Sequence, residues 1–280
     1  MLIKQTPAGD NKLKLPDIQQ LNDTRNIALR WVGIENVILP FQLLSKGNIP
    51  IPIQGEISLA VGLPHNYKGT HMSRFVEVIE EYSRNSINNN EVFGGQKIKE
   101  VLSSIKNKLN AETAMLEMGF IYFVQKAAPV SKQIATMDYP CTFRGELDET
   151  GYHFFITVKV PLMNVCPCSK EISKYGAHNQ RGYAYITVES NVDDFTWIED
   201  IINIGENAGS SPVYPILKRV DEKFVTETSY ENPKFVEDVT RDIVLGLRDK
   251  KITKYKVKVH TIESIHNHQA FAIVDSGEEL

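Results

Sequence analysis

The chain has 280 residues, 42% of them hydrophobic and 24% charged, with a formal net charge of -4. That composition is ordinary for a globular protein with a sizeable core in one or two domains, and it gives no electrostatic case for nucleic acid or an anionic membrane as partner. No apolar run is long enough to span a bilayer, and the N-terminus, MLIKQTPAGDNKLKLP, has no apolar centre like that of a signal peptide. Three cysteines, an odd count, do not suggest a disulfide framework, so a cytoplasmic location is expected.

Residues 1–17 mix charge, Gly and Pro without periodicity and read as a flexible leader. A first module is expected over 18–150. Its β-like runs are Trp31–Leu44 and Ile51–Leu63, the second with Ile57, Leu59 and Val61 alternating against Glu56, Ser58 and Ala60. Helical spacing follows at His71–Ser83 and, after a polar turn, at Gln96–Leu109. Strands at Ala114–Gln125 and Gln133–Leu147 close the module.

The same order returns over 151–280. Strands at His153–Val160 and Tyr183–Ser190 precede helices at Phe195–Glu206 and Pro233–Leu247, and strands at Lys254–Ile265 and Ala270–Asp275 end the chain. Asn232-Pro233 reads as a helix start, with Asn as N-cap and Pro at the first helical position. The expectation is an α+β fold of two tandem ββααββ modules split near Thr150. Their antiparallel strands join in one sheet, with helices packed on one face.

Chemistry concentrates between the first two strands of the second module, in Pro161–Gly182, PLMNVCPCSKEISKYGAHNQRG. A plain hairpin would use Asn and Gly there; this connection carries Cys166, Cys168 and His178. Thiol and imidazole favour zinc or ferrous iron over calcium or magnesium. With three cysteines in the chain a closed four-cysteine site is impossible. A catalytic metal with about three protein ligands is possible, and reduced, idle thiols are the plain alternative. Cys141 lies in a β-like run and reads as a small core residue.

The closing region, HTIESIHNHQAF, gathers Glu263, His266 and His268 among only seven histidines in the chain. On a straight strand Glu263 would face one side and both histidines the other, so a shared site needs a bend between them. Solvated histidines at a strand end are the alternative. Glu222, in KRVDEKF, reads by default as part of a charged loop. Glu237 sits where a carboxylate favours the helix dipole and could pair with Arg241. Lys170, Arg181, Lys218 and Arg219 could meet phosphate, and His71 with Arg74 opens a helix whose N-terminus could hold an anion.

The strings CPCSKEISKYGAHNQRG (Cys166–Gly182), SSPVYPILKR (Ser210–Arg219), YENPKFVEDVTRD (Tyr230–Asp242) and ESIHNHQAFA (Glu263–Ala272), with KGTHMSRF in the first module, resemble type IB GTP cyclohydrolase of the tunnelling-fold superfamily. The resemblance runs over nearly the whole chain beyond Pro16. It implies hydrolysis of GTP to 7,8-dihydroneopterin triphosphate and formate, the first step of folate and pterin biosynthesis. It also implies one divalent metal per active site (Zn, Mn or Fe) and a homotetramer with active sites at subunit interfaces. Carried over residue by residue, it makes Cys166, His178, Glu222 and His266 metal-site residues and Glu237 the anchor of the purine edge. Cys166, His178, Glu263 and His268 take catalytic or supporting roles, and Cys168 has no assigned one. Lys170, Arg181, Lys218 and Arg219 are the candidates for the triphosphate. Two other readings remain open at this point. One is a tunnelling-fold nitrile reductase with a cysteine nucleophile, no metal and NADPH consumed; the other is a purine-binding module without turnover.

Overall fold

Alternation in sequence becomes alternation of burial in the computed structural model, which describes residues 19, 21–191 and 195–277. The leader expected at 1–17 lies outside the described residues. Strand β1 (Leu29–Leu44) pairs with β2 (Pro50–Leu63), where Ile57, Leu59 and Val61 are buried. Helices α1 (Met72–Asn88) and α2 (Gly95–Leu109) follow, then β3 (Ala114–Ala127) and β4 (Ile134–Leu147). The second half gives β5 (Tyr152–Val165), α3 (Pro167–Ile172), β6 (Asn179–Glu189), α4 (Ile198–Ala208) and β7 (Ser211–Pro212). It closes with α5 (Arg219–Glu231), α6 (Val236–Asp249), β8 (Tyr255–Ile262) and β9 (Gln269–Asp275).

The strands make one antiparallel sheet in the order β1-β2-β3-β4-β5-β6-β8-β9, with β7 paired to β5. The expected ββααββ order is present in both halves, and the sheet passes from one to the other through β4 and β5 without a break. Helices α1, α2, α4 and α6 bury apolar stripes against one face. Examples are Phe75 and Ile79 of α1, Ile98 and Leu102 of α2, and Ile243 and Leu247 of α6. Gly246 lets α6 approach α4 closely, since a Cβ there would stand 2.9 Å from Ile204. The core is continuous: Phe120, Phe143 and Phe154 touch edge to face from β3 through β4 to β5, with ring centroids 4.9 and 5.2 Å apart. Cys141 is buried in this core, as expected, and burial pushes its thiol pKa up.

Polar links also join the halves. Glu206 of α4 accepts from Lys126 of β3 (2.6 Å) and from the Tyr139 hydroxyl of β4 (2.5 Å), while Lys126 donates to the Val213 carbonyl as well. Burial lowers the Lys126 pKa and Glu206 opposes that shift. At the surface, the Lys46 ammonium meets Asp200 at 2.6 Å, and its backbone N–H donates to Glu199.

Several boundaries differ from expectation for identifiable reasons. Helix α1 runs past Ser83 to Asn88; the buried Ser86 hydroxyl accepts from the Gln42 N–H and donates to the Glu91 carbonyl, which holds the extra turn. Helix α6 begins at Val236, not at Pro233. Asn232 caps the C-terminus of α5 and donates to the Gly209 and Ser210 carbonyls, and the Phe235 N–H donates to Asp238 at the true start. The salt bridge Arg241 makes is with Asp238, at 3.3 Å, in place of the expected one with Glu237. Residues 218–224, read as a charged loop, open α5, and the irregular segment after Cys166 contains α3. Strand β8 stops at Ile262, so the closing strand is shorter than Lys254–Ile265. Among the described residues no helix is long and apolar enough to cross a membrane.

Candidate active site

Antiparallel connectivity sends the β3–β4, β5–β6 and β8–β9 connections to the same end of the sheet as the β1–β2 turn. The second of these is closed tightly. The Cys166 N–H donates to the His178 carbonyl at 3.0 Å, one step beyond the Val165–Asn179 pair of the β5–β6 ladder. Pro167 occupies the first position of α3, where its missing N–H costs nothing. Cys166 caps that helix, its Sγ accepting from the Ser169 N–H at 3.4 Å. Ser169 Oγ donates to the Cys166 carbonyl and accepts from the His178 N–H, both at 3.2 Å. Gly176, at φ +87°, supplies the left-handed turn that brings the chain back. Cys166 and His178 are thereby held as neighbours, each partly exposed.

The third connection meets them. His178 Nδ1 lies 3.2 Å from Ser264 Oγ, and Gln180 Nε2 donates to Glu263 Oε1 at 3.1 Å. Thr261 Oγ1 donates to the same carboxylate oxygen at 2.8 Å. The bend that a shared site requires is present, since residues 263–268 leave the strand after Ile262. His266 and His268 lie in this bend, exposed, with rings stacked at 5.1 Å.

Helices α5 and α6 bring the rest. Lys170 Nζ donates to the Tyr230 carbonyl at 2.5 Å and sits 4.4 Å over the Tyr230 ring, tying α3 to the end of α5. The Lys234 N–H donates to the Val165 carbonyl at 3.0 Å, which seats the link before α6 beside Cys166. Glu237 is exposed in the first turn of α6, close in sequence to that seat. Glu222 lies in the opposite end of α5 from Tyr230, roughly 12 Å along the axis at 1.5 Å per residue. Lys218 and Arg219 are exposed beside it. Arg181 is exposed on β6, and strand alternation turns it to the other face from His178 and Gln180. Cys168 is exposed. Arg74 donates to the Lys108 carbonyl at 2.9 Å, a contact between α1 and α2.

The start of α5 is fixed by a residue the sequence reading passed over. Asp221, fully buried, accepts from the Val130 and Ser131 N–H groups (both 2.8 Å), the Ser131 hydroxyl (2.6 Å) and the Lys218 N–H (2.8 Å). Burial opposes its charge, but these hydrogen bonds outweigh that and hold its carboxyl well below the usual range. An acidic residue at the third helical position was the available signal. Ser169 and Gln180 carried none.

A thiol and an imidazole on residues joined by a backbone hydrogen bond are donor types that suit a borderline transition metal. Among the described residues no three His, Cys, Asp or Glu side chains within the single chain are grouped to hold an ion.

Residues 15–272 match the family described as type I GTP cyclohydrolase folE2. The chain is 45% identical over 269 residues to GTP cyclohydrolase FolE2 of Citrifermentans bemidjiense, covering 96% of this chain and 97% of that one. It is 46% identical over 261 residues to GTP cyclohydrolase FolE2 of Thermosipho africanus, covering 93% and 97%. In fold it is similar to the uricase from Arthrobacter globiformis, with a TM-score of 0.53 at 6% identity over 89% of this chain and 95% of that one. A uricase from Bacillus fastidious gives a TM-score of 0.53 at 11% identity, over 88% and 92%. At such identities the likeness concerns the tunnelling fold alone.

Proposed function

The chain belongs to the FolE2 family of type I GTP cyclohydrolases, and from that premise we propose that it hydrolyses GTP to 7,8-dihydroneopterin triphosphate and formate at the Cys166–His178 end of the sheet. The observation that supports the placement is the closed β5–β6 connection, where Cys166 and His178 are joined through their backbones and the His178 imidazole reaches Ser264 in the β8–β9 bend.

Cys166 and His178 would hold one divalent cation, zinc, manganese or iron. Glu222 and His266 would complete the set, with a second copy of the chain supplying what one copy does not group. That requirement supports a homo-oligomer, a tetramer in this proposal, with sites at subunit interfaces. When bound, such a cation lowers the pKa of a water to about 7.

The chain's own residues do the rest. The Glu237 carboxylate accepts from the guanine ring N–H and exocyclic amine, which fixes the purine edge. His268 protonates nitrogen 7 as water adds at carbon 8, a proton transfer of the kind an imidazole side chain performs as general acid. Glu263, held by Gln180 and Thr261, supports the same end. Opening of the imidazole ring and a second hydrolysis release formate; ribose rearrangement and closure onto the amine then form the pterin. Lys170, Lys218, Arg219 and Arg181 are the cations offered to the triphosphate, with Arg181 reaching it only from the far face of β6 or across a subunit boundary. The reaction belongs in the cytoplasm.

The test is to load the protein with a divalent metal, add GTP, and follow formate together with pterin fluorescence after oxidation. Stoichiometric formate and pterin are expected. GTP binding without formate would overturn turnover and leave a purine-binding module.

A further inference from the structure

Two amides with buried carbonyl oxygens lie next to Cys166 and His178 along the β5–β6 ladder. Asn164 and Gln180 are cross-strand partners in the β5–β6 ladder, two residues inward from Cys166 and His178. Strand alternation puts all four side chains on the same face of the sheet. Asn164 is 1% exposed.

The amide orientations are fixed by what surrounds them. Asn164 Nδ2 faces the Lys234 carbonyl at 3.4 Å, and Gln180 Nε2 faces the Glu263 carboxylate at 3.1 Å. Both of those groups only accept, so each amide must present its nitrogen to them. This leaves Asn164 Oδ1 and Gln180 Oε1, both buried and without a hydrogen-bond partner in the chain. Paired side chains in an antiparallel ladder have Cβ atoms about 5 Å apart. A buried acceptor left alone carries the full cost of its desolvation, so two such acceptors on paired residues call for a shared donor.

We infer that Asn164 and Gln180 are positioning residues that hold one water between their carbonyl oxygens and orient it for the hydrolysis. A water between two acceptors must donate both hydrogens, so its lone pairs point away from the amides, toward the space in front of Cys166 and His178. In that orientation the oxygen is presented as a nucleophile. Gln180 acts twice, since its other end fixes Glu263. This role rests on the cyclohydrolase reading. The same acceptor pair could instead take the two hydrogens of the exocyclic amine of guanine, and the experiment separates these donors.

The variants are Gln180→Met and Asn164→Leu, which keep volume and remove the acceptor, and Asn164→Asp, which keeps an acceptor in place. Formate release is measured with GTP and with inosine triphosphate, which lacks the exocyclic amine. For Gln180→Met the expected result is a fall in kcat on the order of 10- to 100-fold, with KM for GTP within about twofold. The same factor is expected with inosine triphosphate, and Asn164→Asp should recover most of what Asn164→Leu loses. A crystal structure of the wild type should show an ordered water bridging the two oxygens, and one of Gln180→Met should lack it. Wild-type kcat in Gln180→Met, an empty gap in the wild-type crystal, or a defect that disappears with inosine triphosphate would each overturn the inference. If the wild type releases no formate at all, the cyclohydrolase reading fails, while the crystal still decides whether the water is there.

Discussion

The two halves of the sheet share one element order and differ in what joins the strands. In the first half β1 reaches β2 through Ser45–Ile49, a short turn in which the Ser45 N–H and hydroxyl both donate to the Ile49 carbonyl. At the corresponding place in the second half, Cys166–His178 carries a helix, a left-handed glycine, two thiols and an imidazole. Likewise α1 passes to α2 directly, whereas α4 passes to α6 through β7 and α5. The packing is repeated and the chemistry is not. On the proposed reading one half would serve as scaffold, and the other would add function in segments that the core does not constrain.

That contrast can be broken by substitution. Cys166→Ala should abolish formate release, by at least about 100-fold, since even residues that only support metal ligands cost 10–100-fold. The thiol is partly exposed and packs little, so the melting temperature should stay within about 2 °C. Wild-type turnover in this variant would remove Cys166 from the reaction. Glu206→Ala does the converse. It strands the Lys126 ammonium in a buried place, at a cost of roughly 3 kcal/mol, seen as a lower urea midpoint, while activity per folded molecule changes little. An unchanged midpoint would show that the link between halves contributes nothing.

The smallest effect is a pH-dependent one. The Asp200 carboxyl is held below its ordinary range: burial opposes the charge, and the hydrogen bond and charge of Lys46, with Lys250, outweigh it. A depressed folded-state pKa adds stability that is full above the ordinary aspartate value and is lost as pH falls through the folded one. Asp200→Asn should therefore lower stability by about 0.5–1 kcal/mol at pH 7, a surface-pair magnitude. The gap between variant and wild type should narrow as pH falls below the ordinary aspartate value and close in stronger acid. A gap that persists in acid would mean the contact is not electrostatic.

Much of the scaffold was legible because its elements bury a stripe or a face. Ile57, Leu59 and Val61 alternate, and Ile98, Leu102 and Ile105 repeat at helical spacing, and each set proves buried. Helix α5 was not legible, since its only buried residues are Asp221 and Ser229. It is fastened by hydrogen bonds from the β3–β4 turn, a partner remote in sequence. Asn232-Pro233 misplaced the next helix start because the same pair can end one helix as readily as begin another. In the candidate site, Cys166 and His178 announced themselves by residue type. That they stand together depends on the β5–β6 register, and their approach to Ser264 depends on β6 lying beside β8. Glu222 shows the limit: spacing alone says nothing about which end of a helix, or which copy of the chain, delivers a side chain.

The Ser169 hydroxyl has a consequence for any ion that arrives. It bridges the backbone of the thiol residue to that of the imidazole residue, so neither can drift without dragging the other. If the proposed cation binds here, it would find the backbones of two of its ligands already tied to each other. Its affinity would then not be eroded by the entropy of taming a slack connection.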